Sequence, residues 1–379
     1  MSFPEHGKVL FSATLVRGHI AKFHIPYLKW FKEQGWETWV AAKNDYPDNV
    51  CNIPYCDHFV DVNFARSPFS KRTLEAYRQL RKLFSQERFD IVHTHTPVGG
   101  VLTRLAARHV RKAGTKVIYT AHGFHFYKGA PLVNWLLWYP VEKVMSRLTD
   151  MLITINYEDF MRAKQFAHCR VEYVPGVGVD LSKFSVDKCR EEKRKELGLS
   201  SNNFCILMIG DLNANKNHHV LVEALKKLPK NVMLFIAGEG PLQGELSALA
   251  SRIGVSDRVV FLGFRDDVAA LLNASDLFCM PSKREGLPIS LIEALATGTP
   301  VLVSDARGCA DVLDGLNDGL IVSEFNADVW ADHILSIIKN GYPVDATELR
   351  NKAEVFGIES SIASLAHLYE SVCPGKGMA

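Results

Sequence analysis

Short, uniformly apolar runs alternate with longer amphipathic stretches along most of the chain. Lys8–Thr14 (KVLFSAT), Glu37–Ala42, Asp90–Thr94, Lys116–Ala121, Met151–Ile155 and Val171–Val174 read as strands. Apolar runs without an in/out alternation suit parallel strands covered on both faces. The intervening stretches carry helical spacing. Ala21–Gln34 presents Phe23, Pro26, Tyr27, Trp30 and Phe31 on one face and ends at Gly35. Arg72–Gln86 reads as a basic surface helix, and another runs through Ala113. Pro175-Gly176-Val177-Gly178-Val179-Asp180 then breaks the pattern, and with the charged segment Asp187–Glu196 it reads as an interdomain hinge. The alternation restarts beyond it, with strands at Phe204–Gly210, Val232–Ala237, Arg258–Leu262, Asp276–Met280 and Thr299–Ser304. Helices follow at Asn217–Leu228, Ala327–Asn340, Glu348–Phe356 and Glu359–Cys373, and a loose tail is expected from Pro374 to Ala379.

At 379 residues the chain exceeds the size at which one core keeps growing. Two α/β domains are therefore expected, residues 1–178 and 179–357. Hydrophobic residues make up 47% and charged residues 23%, as in a soluble globular protein. A net charge of +2 gives no argument for nucleic acid. The eight cysteines show no paired metal-ligand spacing, so free thiols in a reducing cytoplasm are expected. Met1–Lys8 is polar and does not read as a signal peptide. No apolar run reaches the roughly 18 residues that would suggest a membrane span.

One stretch organises the second half: PSKREGLPISLIEALATGTP, residues 281–300. Pro281 and Gly286 make a loop after a buried strand, Pro288 fits the first turn of a helix, and Gly298 fits the position just past its end. The helix between is apolar nearly all round, yet Ser290, Glu293 and Thr297 form a polar stripe on it. Glu285 stands before the helix at the C-terminal end of a strand, the edge where open α/β sheets bind ligands. Three further strand–glycine–helix junctions line the same edge, at Gly210, at Gly238 and Gly240, and at Gly263-Phe264. Glycine lets backbone approach a ligand and helix N-termini favour phosphate, so the edge reads as a nucleotide-diphosphate site. Lys216 sits at a helix start, a poor place for a cation unless an anion binds there.

The Glu-x7-Glu pattern, with Glu-Gly-Leu-Pro at its head and Ala-x-Ala-x-Gly-x-Pro-Val at its tail, resembles the signature of retaining glycosyltransferases of family four. HTHTPVGG (93–100) and TAHGFHFYKGAPLVNWLLWYP (120–140) look like the capsule and exopolysaccharide enzymes of that family. The resemblance implies the GT-B fold, two Rossmann-like domains with parallel sheets facing across a cleft. The terminal helix 358–373 would return to the first domain. It further implies transfer of a sugar from a nucleotide-diphosphate sugar, UDP-linked by preference, to a lipid-linked saccharide. The expected partners are thus a nucleotide sugar, a polyprenyl-diphosphate-linked saccharide and the cytoplasmic membrane surface, with no metal and no other cofactor. Glu285 would contact the donor sugar, Glu293 the ribose hydroxyls, and Gly263 and Phe264 the base. Lys216, Arg284 and the helix start at Gly286, Leu287 and Pro288 would meet the diphosphate. Many family members carry Arg where this chain has Asp211, so one phosphate contact is absent or supplied elsewhere, with Arg284 as a substitute. Two other GT-B readings fit less of the pattern, a nucleotide-sugar 2-epimerase and a subunit that activates a partner without catalysis.

In the first half, Gly18 and His19 follow the first strand, where a tight turn with a solvated His19 is the plainer reading. His93, His95, His122 and His125 gather at two strand ends. No carboxylate neighbours them and their spacing matches no common metal site, so a polar cleft is the better reading. By resemblance His122 contacts the transferred sugar, while Gly18, His19 and His95 face the acceptor. Ala130–Val141 is strongly apolar but too short to span a bilayer. It reads either as a core helix or as an interfacial patch with Trp135, Trp138 and Tyr139 at the headgroup level, flanked by Lys128, Lys143 and Arg147.

Overall fold

The structure is a computed structural model that describes residues 4, 6–48, 50–65, 70–176, 178–184, 190–316 and 318–373. The expected tail 374–379, part of the hinge (177 and 187–189) and part of the N-terminal segment lie outside the described residues. The chain divides into two compact units, residues 1–178 with 358–379, and residues 179–357.

The first unit is built on a parallel sheet of seven strands: β1 (Lys8–Leu15), β2 (Glu37–Lys43), β3 (His58–Asp61), β4 (Ile91–His95), β5 (Lys116–Ala121), β6 (Met151–Thr154) and β7 (Arg170–Tyr173), in the order 3-2-1-4-5-6-7. β1 shows how a strand is covered on both sides. Val9, Phe11 and Ala13 join the core on one side, and Leu10 joins the core on the other. Strand side chains alternate, so such a strand is largely apolar, and its buried hydroxyls are paired: Ser12 with Thr103 at 2.9 Å and Thr14 with Thr96 at 2.7 Å. The order reverses between β1 and β4, which makes their C-terminal ends the switch point where such sheets hold ligands. Helix Ile358–Val372 packs into this unit through Leu365, Leu368 and Tyr369.

The second unit has six parallel strands: β8 (Phe204–Ile209), β9 (Val232–Ala237), β10 (Val259–Gly263), β11 (Leu277–Met280), β12 (Val301–Ser304) and β13 (Ile321–Val322), in the order 10-9-8-11-12-13. The organising helix runs Ile289–Thr297, with Leu291, Ile292, Ala294 and Leu295 buried. Gly298 closes it in the left-handed region (φ 75°), where a Cβ would also press on the Arg350 guanidinium.

Two expectations need correction. The charged segment read as hinge is a helix from Arg190 to Glu196 that belongs to the second unit. Arg194 is buried there, donating to Asp276 Oδ2 at 3.0 Å and to the Ala274 carbonyl, while Lys193 pairs with Asp267 at 2.8 Å. The charge run read as a hinge because its acidic partners lie far along the chain. Helix Leu132–Met145 is neither a plain core helix nor an aromatic membrane belt. Trp135, Trp138 and Tyr139 turn inward and pack against the cluster of Phe126 and Phe166, leaving Leu132, Val133, Leu136 and Leu137 exposed. No helix among the described residues is long and apolar enough to cross a membrane.

Candidate active site

In the second unit the strand tips are joined by backbone hydrogen bonds beyond the regular ladder. Gly210 N–H donates to Ala237 O at 2.9 Å, Gly238 N–H to Gly263 O at 2.8 Å, and Leu212 N–H to Glu239 O at 2.9 Å. Gly238 has φ 148°, and a Cβ there would collide with the Gly210 carbonyl, so no other residue fits that crossing. Gly240 begins the next turn and Phe264 stands outward, 77% exposed, just past β10.

The loop after β8 carries Lys216. Asn213 Oδ1 accepts from the N–H groups of Asn215 (3.0 Å) and Lys216 (3.2 Å), which folds the loop on itself. Asn215 then reaches the loop after β11. Its Nδ2 donates to Arg284 O at 2.9 Å, and its carbonyl accepts from Lys283 N–H at 2.8 Å. That clamp sets Lys216 Nζ 2.8 Å from Glu285 Oε1, with both side chains largely buried. Arg307 Nε supports the same loop through the Glu285 carbonyl at 3.3 Å. Arg284 itself points its side chain to the exposed surface. Asn217, next to Lys216, adopts φ 60°, and its buried side-chain amide has no hydrogen-bond partner. Strain and an orphaned polar group side by side are common at functional sites.

Gly286 and Leu287 lead to Pro288, which is extended and takes the cap position rather than the first turn. The first amides of helix Ile289–Thr297 therefore face the end of the loop that holds Glu285. Glu293 lies one turn inside that helix and makes no hydrogen bond or ion pair with any described residue. Burial pushes its carboxyl up to about 7. The expected partner for this carboxylate is not a protein group.

In the first unit, residues from the ends of three neighbouring strands converge. β1 runs into a wide turn, Val16–Ile20, that carries Gly18 and His19. The N–H groups of Arg17 and Gly18 are both taken by the Asp45 carboxylate, at 2.6 and 3.1 Å. His24 sits at the break between helices Ala21–Phe23 and Ile25–Glu33, His95 ends β4, and His122 follows β5. One ring nitrogen from each of His19, His24, His95 and His122 lies within 4.8 Å of the others. Burial drives His19 down to about 4 and holds His24, His95 and His122 well below the usual histidine range.

This corrects the expected grouping. His93 belongs to the core, with Nδ1 2.7 Å from Tyr369 Oη and Nε2 2.8 Å from Thr120 Oγ1. His125 stacks on Trp138, its ring centroid 4.7 Å away. His19 is not solvated, and His24 joins it. Asn213, Asn215, Asn217, Asp45 and His24 went unnoticed in the sequence. Only the Asn-x-Asn-Lys run offered a signal, since asparagines favour tight turns.

Comparison with known proteins shows the family. Residues 27–182 match the family described as Glycosyltransferase Family 4, and residues 189–357 match Glycosyl transferases group 1. EpsD of Bacillus subtilis (strain 168), a protein named as a glycosyltransferase, is 44% identical over 322 residues, covering 83% of each chain. The Escherichia coli UDP-Gal:alpha-D-GlcNAc-diphosphoundecaprenol alpha-1,3-galactosyltransferase is 30% identical over 319 residues, covering 80% of this chain and 81% of that one. Anabaena HepE, solved with UDP and glucose, superposes with a TM-score of 0.78 at 20% identity, covering 97% of this chain and 100% of that one. With a family match in each half and a 44% identical relative along most of its length, the chain belongs to the family 4, group 1 glycosyltransferases and has their GT-B fold.

Proposed function

We propose that this glycosyltransferase moves a hexose from a UDP-sugar to a polyprenyl-diphosphate-linked saccharide, with retention of anomeric configuration, in the assembly of a capsule, exopolysaccharide or related surface glycan. The observation that carries the reading is the Lys216–Glu285 pair at the tips of parallel strands. The donor and acceptor classes draw on the name of the Escherichia coli relative.

The leaving nucleoside diphosphate gains negative charge as the glycosidic bond breaks. Stabilising that charge is the largest service such a site offers. Lys216 supplies a compact cation, Arg284 a second one, and the first amides of helix Ile289–Thr297 a third source of positive potential. Glu285 orients Lys216 and contacts the donor sugar. Glu293 accepts from the ribose hydroxyls, which gives its unpartnered carboxyl a ligand. Gly263 and Phe264 flank the base. His122 donates to the transferred sugar, and Gly18, His19 and His95 line the acceptor side. The departing phosphate takes the acceptor's proton, so no protein nucleophile is assigned and no metal or other cofactor is required.

The exposed aliphatic face of helix Leu132–Met145, with Lys143 and Arg147 nearby, is assigned to contact with the anionic cytoplasmic leaflet that would carry the acceptor.

A thermal-shift panel of nucleoside diphosphates and their sugars tests the reading, because a ligand of the folded state raises the melting temperature. UDP and one UDP-sugar are expected to shift it. A shift only with another nucleotide class would overturn the donor assignment. No shift with any nucleotide would overturn transfer by this chain alone and favour an activating subunit.

A further inference from the structure

We infer that His19, His24, His95 and His122 form a binding site for one divalent transition-metal ion of the zinc class. The four imidazoles come from the turn after β1, the helix break beyond it, the end of β4 and the loop after β5. They meet at the switch point of the sheet, and no sequence spacing announces them.

Three observations support the site. The four ligand nitrogens already stand within 4.8 Å of one another. Four nitrogens about 2.0–2.1 Å from a tetrahedral ion lie about 3.3 Å apart, and His95 Nδ1 and His122 Nε2 already stand 3.3 Å apart. Second, apart from the His95 Nδ1–His122 Nε2 contact, the imidazoles do not satisfy one another. His19 Nε2, both ring nitrogens of His24 and His95 Nε2 are buried without hydrogen-bond partners. Buried unpaired polar atoms are costly and call for a partner, and an ion would take one nitrogen from each ring. Third, a cavity of about 20 Å³ borders three of the four rings, His24, His95 and His122, together with His93 and mostly apolar side chains.

The donor set selects the ion. Imidazole suits zinc, copper, nickel and cobalt, whereas magnesium, calcium and manganese prefer carboxylate and water oxygens. The absence of carboxylate neighbours, which argued against a metal when only the sequence was read, therefore excludes oxygen-seeking ions rather than all ions.

Binding does not rest on the sugar-transfer reading. Its consequence does: an ion on His122 and His95 would withdraw those rings from substrate.

The test titrates the purified, chelator-stripped full chain with Zn²⁺ by calorimetry and with Co²⁺ by visible absorption. One equivalent should bind, tetrahedral Co²⁺ bands should appear, Zn²⁺ should bleach them, and Mg²⁺ should do nothing. His24→Gln is expected to weaken Zn²⁺ binding roughly a hundredfold or more, as loss of one of four ligands would. His19→Gln at the half-buried rim should do the same, and it decides the matter if the His24 variant does not fold. A wild-type chain that binds no Zn²⁺ at millimolar concentration would overturn the site. So would folded variants with wild-type affinity, which would place the ion elsewhere, on thiols for instance. In a transfer assay Zn²⁺ should inhibit the wild type and spare His24→Gln; undiminished transfer with the ion bound would overturn the shared use of His122.

Discussion

Lys216 Nζ and Glu285 Oε1 lie 2.8 Å apart, although 69 residues separate them in the chain. The cation and the carboxylate are held in this register by Asn215, which bridges the two loops with one side-chain and one backbone hydrogen bond. The pair is a preset polar element in a largely buried place, and each member is costly without the other. Lys216→Ala and Glu285→Ala are each expected to lower the transfer rate by about a hundredfold or more. The double variant should lose far less than the product of the two, since residues acting as a unit are non-additive. Initial rates with a labelled donor measure this. Near-normal turnover in both single variants would remove Lys216 and Glu285 from the site.

Glu293 gives a pH-dependent signature. Its carboxyl is raised to about 7 by burial, while in the unfolded chain it titrates at about 4.3. Between those values the folded chain holds a proton that the unfolded chain has released. Stability therefore is greatest below the unfolded value and falls as pH rises toward 7, by at most about 4 kcal/mol. Glu293→Gln should flatten that slope and raise the melting temperature of the free protein above pH 7. Nucleotide affinity should move the opposite way, weakening below pH 7 as the carboxylate that accepts from the ribose is protonated. Melting curves across pH, with and without UDP, separate the two effects. A slope unchanged in the Gln variant would show that another group carries it.

Much of this site is legible in the sequence because its markers are local. Glycine and proline punctuate the strand ends, and an apolar helix with Glu293 on it is conspicuous within a short window. Lys216 stands out for the same reason, as a cation at a helix start. What escaped was set by contacts between distant residues. Asn215 acts on a loop 69 residues away. Asp45 closes the amides of Arg17 and Gly18 from beyond β2. Helix Arg190–Glu196 looked like a linker because its partners Asp267 and Asp276 lie far downstream. β3 is a short edge strand without an apolar run, which leaves periodicity nothing to detect. The histidine cluster was misgrouped because His93, on the same face of β4 as His95, has both ring nitrogens taken by Tyr369 and Thr120 from distant parts of the chain, and helix geometry, not spacing, delivers His24.

The exposed aliphatic face of helix Leu132–Met145 makes membrane contact measurable. Leu132 and Leu136 are 80% and 76% exposed, so neither supports the core. Burying one leucine side chain contributes about 1.5–3 kcal/mol. Leu132→Glu with Leu136→Glu is therefore expected to reduce binding to phosphatidylglycerol vesicles more than tenfold. The melting temperature and UDP affinity should stay unchanged. Vesicle sedimentation reads the first and thermal shift the others. Equal sedimentation of variant and wild type would exclude this face as the contact.

That helix is fixed to its domain by a buried charge. Both terminal nitrogens of Arg104 donate to Glu142 Oε2 at 3.0 Å, and Arg104 Nε donates to the Gly100 carbonyl at 2.9 Å. The guanidinium also lies 3.9 Å from the centre of the Tyr119 ring, whose hydroxyl reaches Glu142 Oε1 at 3.3 Å. Each nitrogen of this group has an acceptor, so the pair holds only while it is whole. Arg104→Ala leaves the carboxylate buried without its cation, and should cost about 3–5 kcal/mol. The double variant Arg104→Met with Glu142→Leu replaces both charges by apolar groups and should recover most of that loss, since a well-packed apolar pair is often as stable as a buried ion pair. Chemical denaturation of the three proteins decides it. If the double variant is as unstable as Arg104→Ala, the pair contributes more than the mutual cancellation of its charges, and the stacking on Tyr119 is the first contact to examine.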